Sequence, residues 1–180
     1  MRTNSNTSWL AEKQESCQAE RISVLGLGNI LLSDDGVGVR AIELLQKHNL
    51  PANIEIIDGG TASLDALLLV KDVEKLVVVD AMRTGKEPGT IYKARINAND
   101  RDKLEQMFSR GSKISLHQIG LIDALAAAEK VNCLPKEFVI IGIEPGNMGC
   151  GLELTENVRR KIPEVVNTIL KEIDNAVHTE

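Results

Sequence analysis

Three residues far apart in the chain, Asp35, Asp80 and His117, offer the donor set that a divalent metal takes. Two carboxylates and an imidazole, without thiolate, suit a borderline ion such as Ni²⁺ or Zn²⁺. Three protein ligands leave positions open for water or for a group that a substrate brings. Spacing alone does not join them. Each has a plainer reading too, and for His117 that is a surface or capping residue at a helix start. Ser115, two residues earlier, is its plausible cap. A helix N-terminus disfavours imidazolium, so the ring is expected to stay neutral and free to bind a metal. His48 and His178 sit near expected helix ends in polar contexts and read as surface residues.

Positioning falls first to residues 24–43, around which the rest of the chain is organised. An apolar run at 22–25 reads as a buried strand, Gly26 and Gly28 as a turn, and a helix is expected to start near Ser33. Ser33 can act as its N-cap, with Asp34 and Asp35 in the positively polarised first turn. Val37, Ala41, Leu44 and Leu45 recur at helical spacing and face inward. Gly36 and Gly38 are odd in such a helix, each costing about 1 kcal/mol relative to Ala. Something must therefore approach this turn closely, and two adjacent acids exceed what capping requires. A dinucleotide loop is disfavoured because Leu31 stands at the third glycine position. The acids would also repel a phosphate at that helix end. No Gly-Lys-Ser/Thr follows, which excludes a Walker-type loop. The turn looks built for a cation.

Apolar runs and helical patterns alternate thereafter. Strands are expected at 54–57, 76–79, 90–96 and 138–143, and the alternation at 90–96 reads as an edge strand open to antiparallel pairing. Asp58-Gly59-Gly60-Thr61 reads as an exit turn, and the third strand ends at Asp80. Helices are expected at 64–70, 100–108 and 117–131, and from Thr155 to about Val177 with Pro163 kinking or restarting the last. The pattern is that of an α/β three-layer sandwich: a twisted, mostly parallel sheet of about five strands with helices on both faces. Ligands of such sheets bind outside the carboxyl ends of the strands. There the chain places the 29–35 turn, Asp58, Asp80 and Glu144, of which Asp58 and Glu144 are secondary candidates for positioning.

Composition bounds the rest. At 180 residues with 43% hydrophobic content, a single domain over 21–180 is expected, preceded by a polar, flexible leader at 1–20 without a signal-peptide apolar core. Aromatics at 2% make the core aliphatic, and a net charge of −5 without a basic cluster argues against nucleic acid or an anionic membrane. Arg159-Arg160-Lys161 reads as a solvated helix face. No apolar run approaches the roughly 18 residues of a membrane span. Cys17, Cys133 and Cys150 lack metal-ligand spacing and cannot all pair within one chain, which fits a reducing cytoplasm. Cys150, in a glycine-rich loop, is expected to pack as a free thiol.

Taken in order, Gly26-Leu-Gly-Asn-Ile-Leu-Leu-Ser-Asp-Asp-Gly-Val-Gly38, Asp58-Gly-Gly-Thr61, Val78-Val-Asp80-Ala and Ser115-Leu-His117-Gln-Ile-Gly120-Leu resemble the hydrogenase maturation endopeptidases. The likeness runs from about Ile22 to Val177. It implies a hydrolase of aspartyl type that removes a C-terminal extension from the large-subunit precursor of nickel–iron hydrogenase after nickel insertion. It places the metal contacts on Asp35, Asp80 and His117. The nickel is expected to arrive with the substrate and to serve as the recognition element, and other divalent ions are expected to occupy the site in vitro. Asp35 doubles as the candidate general base. Some members have Glu where this chain has Asp35, and the leader has no counterpart. The expected partner is the nickel-loaded precursor, and the protein itself is expected to be a monomer. The rival reading is a non-catalytic chaperone that checks nickel loading without cutting.

Overall fold

A computed structural model describes residues 20–61, 73–97 and 135–177. The leader, the expected helices at 64–70, 100–108 and 117–131, and with them His117, Cys17, Cys133 and His178, lie outside the described residues. Five strands form one sheet: β1 (Ile22–Leu27), β2 (Ile54–Gly60), β3 (Lys75–Ala81), β4 (Ile91–Asn97) and β5 (Glu137–Ile143). Their order is β2-β1-β3-β5-β4. All neighbouring pairs are parallel except β4 with β5, so the expected antiparallel edge strand is present.

Three helices accompany the sheet among the described residues: α1 (Val37–Leu45), α2 (Glu156–Arg159) and α3 (Ile162–Val177). Val37, Ala41, Ile42 and Leu45 of α1 share one core with Val165, Val166, Ile169 and Ile173 of α3. Alternate strand residues, Ile22 and Val24, Val77 and Val79, Val139 and Ile141, complete that core. Each such side chain contributes about 1.5–3 kcal/mol on leaving water. The intervening strand residues, among them Leu25, Leu76, Val78 and Ile140, are equally buried, so neither sheet face is a wet one. That is the burial a layered α/β domain requires. The single C-terminal helix resolves into two, broken at Arg160 and Lys161. Pro163 is the second residue of α3, where its missing N–H would have had no partner anyway.

Three expectations are corrected. β2 runs through Gly60, so Asp58, Gly59 and Gly60 are strand rather than exit turn. They pair with Gly26 and Leu27 across an irregularity in the register. β3 likewise continues past Asp80, which pairs with Gly142 while Ala81 pairs with Ile143. In both cases the backbone ladder outruns the apolar side chains. The helix does not start at Ser33: residues Ser33–Gly36 form a 3-10 turn, and α1 begins at Val37 with no side-chain cap.

The glycine cost in this turn now has a cause. A Cβ on Gly38 would lie 2.2 Å from the Val79 carbonyl oxygen and 2.3 Å from that of Leu27. The helix start thus presses directly on β1 and β3, and the close neighbour is the protein's own sheet. Gly28, at φ 129°, leaves no room either, since its Cβ would lie 1.9 Å from the Asp35 carbonyl oxygen. At the opposite, amino end of the strands, Lys75 is buried with its ammonium 3.0 Å from the Glu172 carboxylate. Lys93 and Arg95 also pair with that carboxylate.

Candidate active site

The strand order reverses at β1: the chain leaves β1 for β2 on one side and returns to β3 on the other. A crevice at the carboxyl ends of β1 and β3 is the binding position such a reversal creates. Asp80, the last residue but one of β3, lies there, 3% exposed, with Oδ1 accepting the Ala81 N–H at 2.8 Å. Asp35 belongs to the turn that leaves β1, and that turn lies against β3. It is also 3% exposed, and its Oδ2 accepts the Asn29 N–H at 3.0 Å. The turn closes on itself through Leu32 N–H to the Asn29 carbonyl and Asp35 N–H to the Leu32 carbonyl. Asn29 Oδ1 accepts the Leu31 N–H, which tightens the same bend.

Two of the three expected metal contacts, Asp35 and Asp80, therefore share the carboxyl edge of the two central strands. His117 is outside the described residues. Among the described residues no group of three or more His, Cys, Asp or Glu could hold a metal. Two buried oxygen donors suit a hard or borderline cation that takes further ligands from elsewhere.

Asp34, read from sequence as one of two first-turn acids, has a different task. It is fully buried, and its Oδ2 accepts N–H bonds from Gly146 at 2.8 Å and Asn147 at 2.9 Å. Thr155 donates its N–H to Oδ1 at 2.7 Å and its hydroxyl to Oδ2 at 2.8 Å. The carboxylate thus welds the loop after β5 to the turn that carries Asp35. Ser33 helps from the same turn: its hydroxyl donates to the Gly149 carbonyl at 3.1 Å instead of capping α1.

The secondary candidates separate. Asp58 is exposed and accepts the N–H of nearby Gly60, a local contact. Glu144 is buried and receives Thr84 N–H at 2.8 Å, Thr84 Oγ1 at 2.7 Å and Tyr92 OH at 2.8 Å. It pins the segment that follows Asp80 to β4 and β5, so its role is to hold that segment. Cys150 is exposed and does not pack as expected, because its loop lies on the surface.

Burial alone would raise the Glu144 pKa. The Thr84, Tyr92 and Gly85 donors outweigh that and hold it below the usual glutamate range. A carboxyl lowered by folding stabilises above its unfolded pKa, and that contribution fades as pH falls through the folded one. Glu144→Gln is therefore expected to cost about 2 kcal/mol at pH 7. The gap from the wild type should narrow below about pH 4. Urea unfolding at pH 7 and pH 3 measures it, and a gap that widens in acid would contradict the assignment.

Comparison with known proteins points one way. The family model HycI, described as hydrogenase maturation protease, matches residues 39–172. The hydrogenase expression/formation protein HupD of Rhizobium leguminosarum bv. viciae is 38% identical over 155 residues, 85% of this chain and 74% of that protein. The hydrogenase 2 maturation protease of Escherichia coli (strain K12) is 36% identical over 152 residues, 83% of this chain and 88% of that one. Among solved structures, the hydrogenase maturating endopeptidase HybD from E. coli aligns with a TM-score of 0.78 at 34% identity. That alignment covers 87% of this chain and 93% of the other.

Proposed function

This chain belongs to the hydrogenase maturation protease family, and we propose that it cuts at the edge where Asp35 and Asp80 lie, using nickel carried by its substrate as the recognition element. It is an endopeptidase, and the role of its family is C-terminal processing of the hydrogenase large subunit. Its substrate is accordingly the large-subunit precursor. The observation that carries the site assignment is the pair of carboxylates withdrawn from water at the strand-order reversal. A protein keeps two acids buried at a crevice when their charge has a task there.

Asp35, Asp80 and His117 receive the nickel of the loaded precursor. Held there, the substrate's nickel would supply Lewis-acid polarisation of the adjacent substrate carbonyl. Asp35 takes the proton from the attacking water, and Asp80 and His117 fix the substrate's metal end. The enzyme is in that sense of aspartyl type. A free, exposed Cys150 fits a cytoplasmic site of action, where thiols stay reduced.

The test is direct. Nickel-loaded and nickel-free precursor are incubated with the protein, and the mass of each product is read. Loss of the C-terminal extension from the loaded form alone is the expected result. Equal cutting of both forms would remove nickel recognition from the reading. Binding of the loaded precursor with no change of mass would favour the non-catalytic chaperone.

A further inference from the structure

Among the described residues the exposed large hydrophobic side chains are Ile30, Leu31 and Leu152, at 38%, 59% and 62% exposure. Scattered exposed leucines need no explanation, but these three gather at one junction of two loops. Gly151 donates its N–H to the Leu31 carbonyl at 2.9 Å, and Ser33 donates its own to the Gly151 carbonyl at 2.8 Å. Leu32 and Gly151 form a parallel bridge. From α1, Arg40 Nη2 reaches the Leu152 carbonyl at 3.3 Å. Ser33 sits at φ 49°, a left-handed conformation that a non-glycine residue rarely adopts. The sequence thus spends hydrogen bonds and a strained residue to hold apolar side chains out in water.

Beside Leu152 lies a groove of about 430 Å³, lined by Arg40, Leu44, Glu153, Leu154 and Ile162 among others. Arg40 links the two features, since it lines the groove and also holds the Leu152 carbonyl. The ledge is continuous with the site, because Leu31 precedes Asp35 by four residues in the same turn.

We propose that the Leu31–Leu152 ledge, with the groove beside it, is the surface on which the folded body of the large-subunit precursor docks. This rests on the protease reading above. A protein substrate that delivers its bond to the Asp35 turn must lie over the residues flanking that turn. A fixed ledge suits a folded surface, because neither side then loses much freedom on contact. A second copy of this chain seated on the ledge would cover the same turn and obstruct the site, so it is the poorer occupant.

The probe is a nickel-loaded large-subunit precursor that the wild-type protein cleaves, and the variant is Leu31→Glu/Leu152→Glu. Both side chains are mostly in water, so the fold should survive, as circular dichroism and thermal unfolding check. Burying the new carboxylates against the precursor is unfavourable. KM should rise at least about tenfold while kcat at saturating precursor stays within about twofold. A folded double variant with unchanged KM would overturn the proposal. So would a wild-type dimer in sedimentation that the variant abolishes with KM unaltered, which would assign the ledge to self-association. Failure of the wild type to cleave any loaded precursor would instead refute the protease reading, so the two failures are distinguishable.

Discussion

Asp80→Asn is expected to slow precursor processing by at least about a thousandfold while leaving the protein folded. Asparagine keeps the volume of the buried side chain, and its amide oxygen can still accept the Ala81 N–H now held at 2.8 Å. The strand itself is paired to β5 through backbone, with Asp80 opposite Gly142, so the ladder does not depend on the carboxylate. What disappears is the negative charge at the crevice. Asp35→Asn should behave in the same way, since an amide oxygen can still receive the Asn29 N–H. Each variant should lose no more than about 1 kcal/mol of stability. Initial rates come from the mass of the precursor's C-terminus, with urea unfolding as the control for fold. Near wild-type processing by either folded variant would sink the assignment of the crevice. The same holds for a folded His117→Ala protein, whose histidine is assigned by family likeness alone.

Much of this architecture is legible in the residues, and the misses have physical reasons. The aliphatic runs at 22–25, 76–79 and 138–143 mark β1, β3 and β5 because strands buried on both faces read as unbroken apolar sequence. Their ends do not read so well. The ladder extends through Asp80 and through Asp58 to Gly60, where backbone pairing continues without any apolar periodicity to announce it. Asp35 and Asp80 were legible as acids following buried runs. The cost of Gly38 correctly signalled a close approach, yet sequence could not say that the approaching group is the carbonyl of Val79. Asp34 was the main omission. Its partners lie 112 to 121 residues away and donate mostly through backbone N–H, which leaves no trace in side-chain pattern. The burial of Lys75 against Glu172 escaped for a similar reason, since a lysine at a strand start ordinarily reads as solvated.

The adjacent aspartates should therefore part company when each is replaced. Asp34→Ala is expected to cost about 4 kcal/mol, a large share of the roughly 5–15 kcal/mol that holds a domain of this kind together. Its carboxylate is fully buried and faces donors alone: the N–H groups of Gly146, Asn147 and Thr155 and the Thr155 hydroxyl. The hydroxyl can turn elsewhere, but three backbone donors would lose their acceptor. Each buried donor left bare costs about 1–3 kcal/mol, and partial relaxation of the loop lowers the sum. Asp34→Asn should recover only part of this, to a loss of about 2–3 kcal/mol, because its NH₂ must face another donor. Asp34→Glu offers no escape, since an extra methylene in a fully buried site costs about 1–3 kcal/mol by overpacking. Urea unfolding of Asp34→Asn beside Asp35→Asn separates the roles. The first should fall well below wild type in stability and lose activity as its loop after β5 comes loose. The second should unfold close to wild type and be inactive nonetheless. An Asp34→Ala protein within about 1 kcal/mol of wild type would show that the weld between the two loops does not depend on this carboxylate.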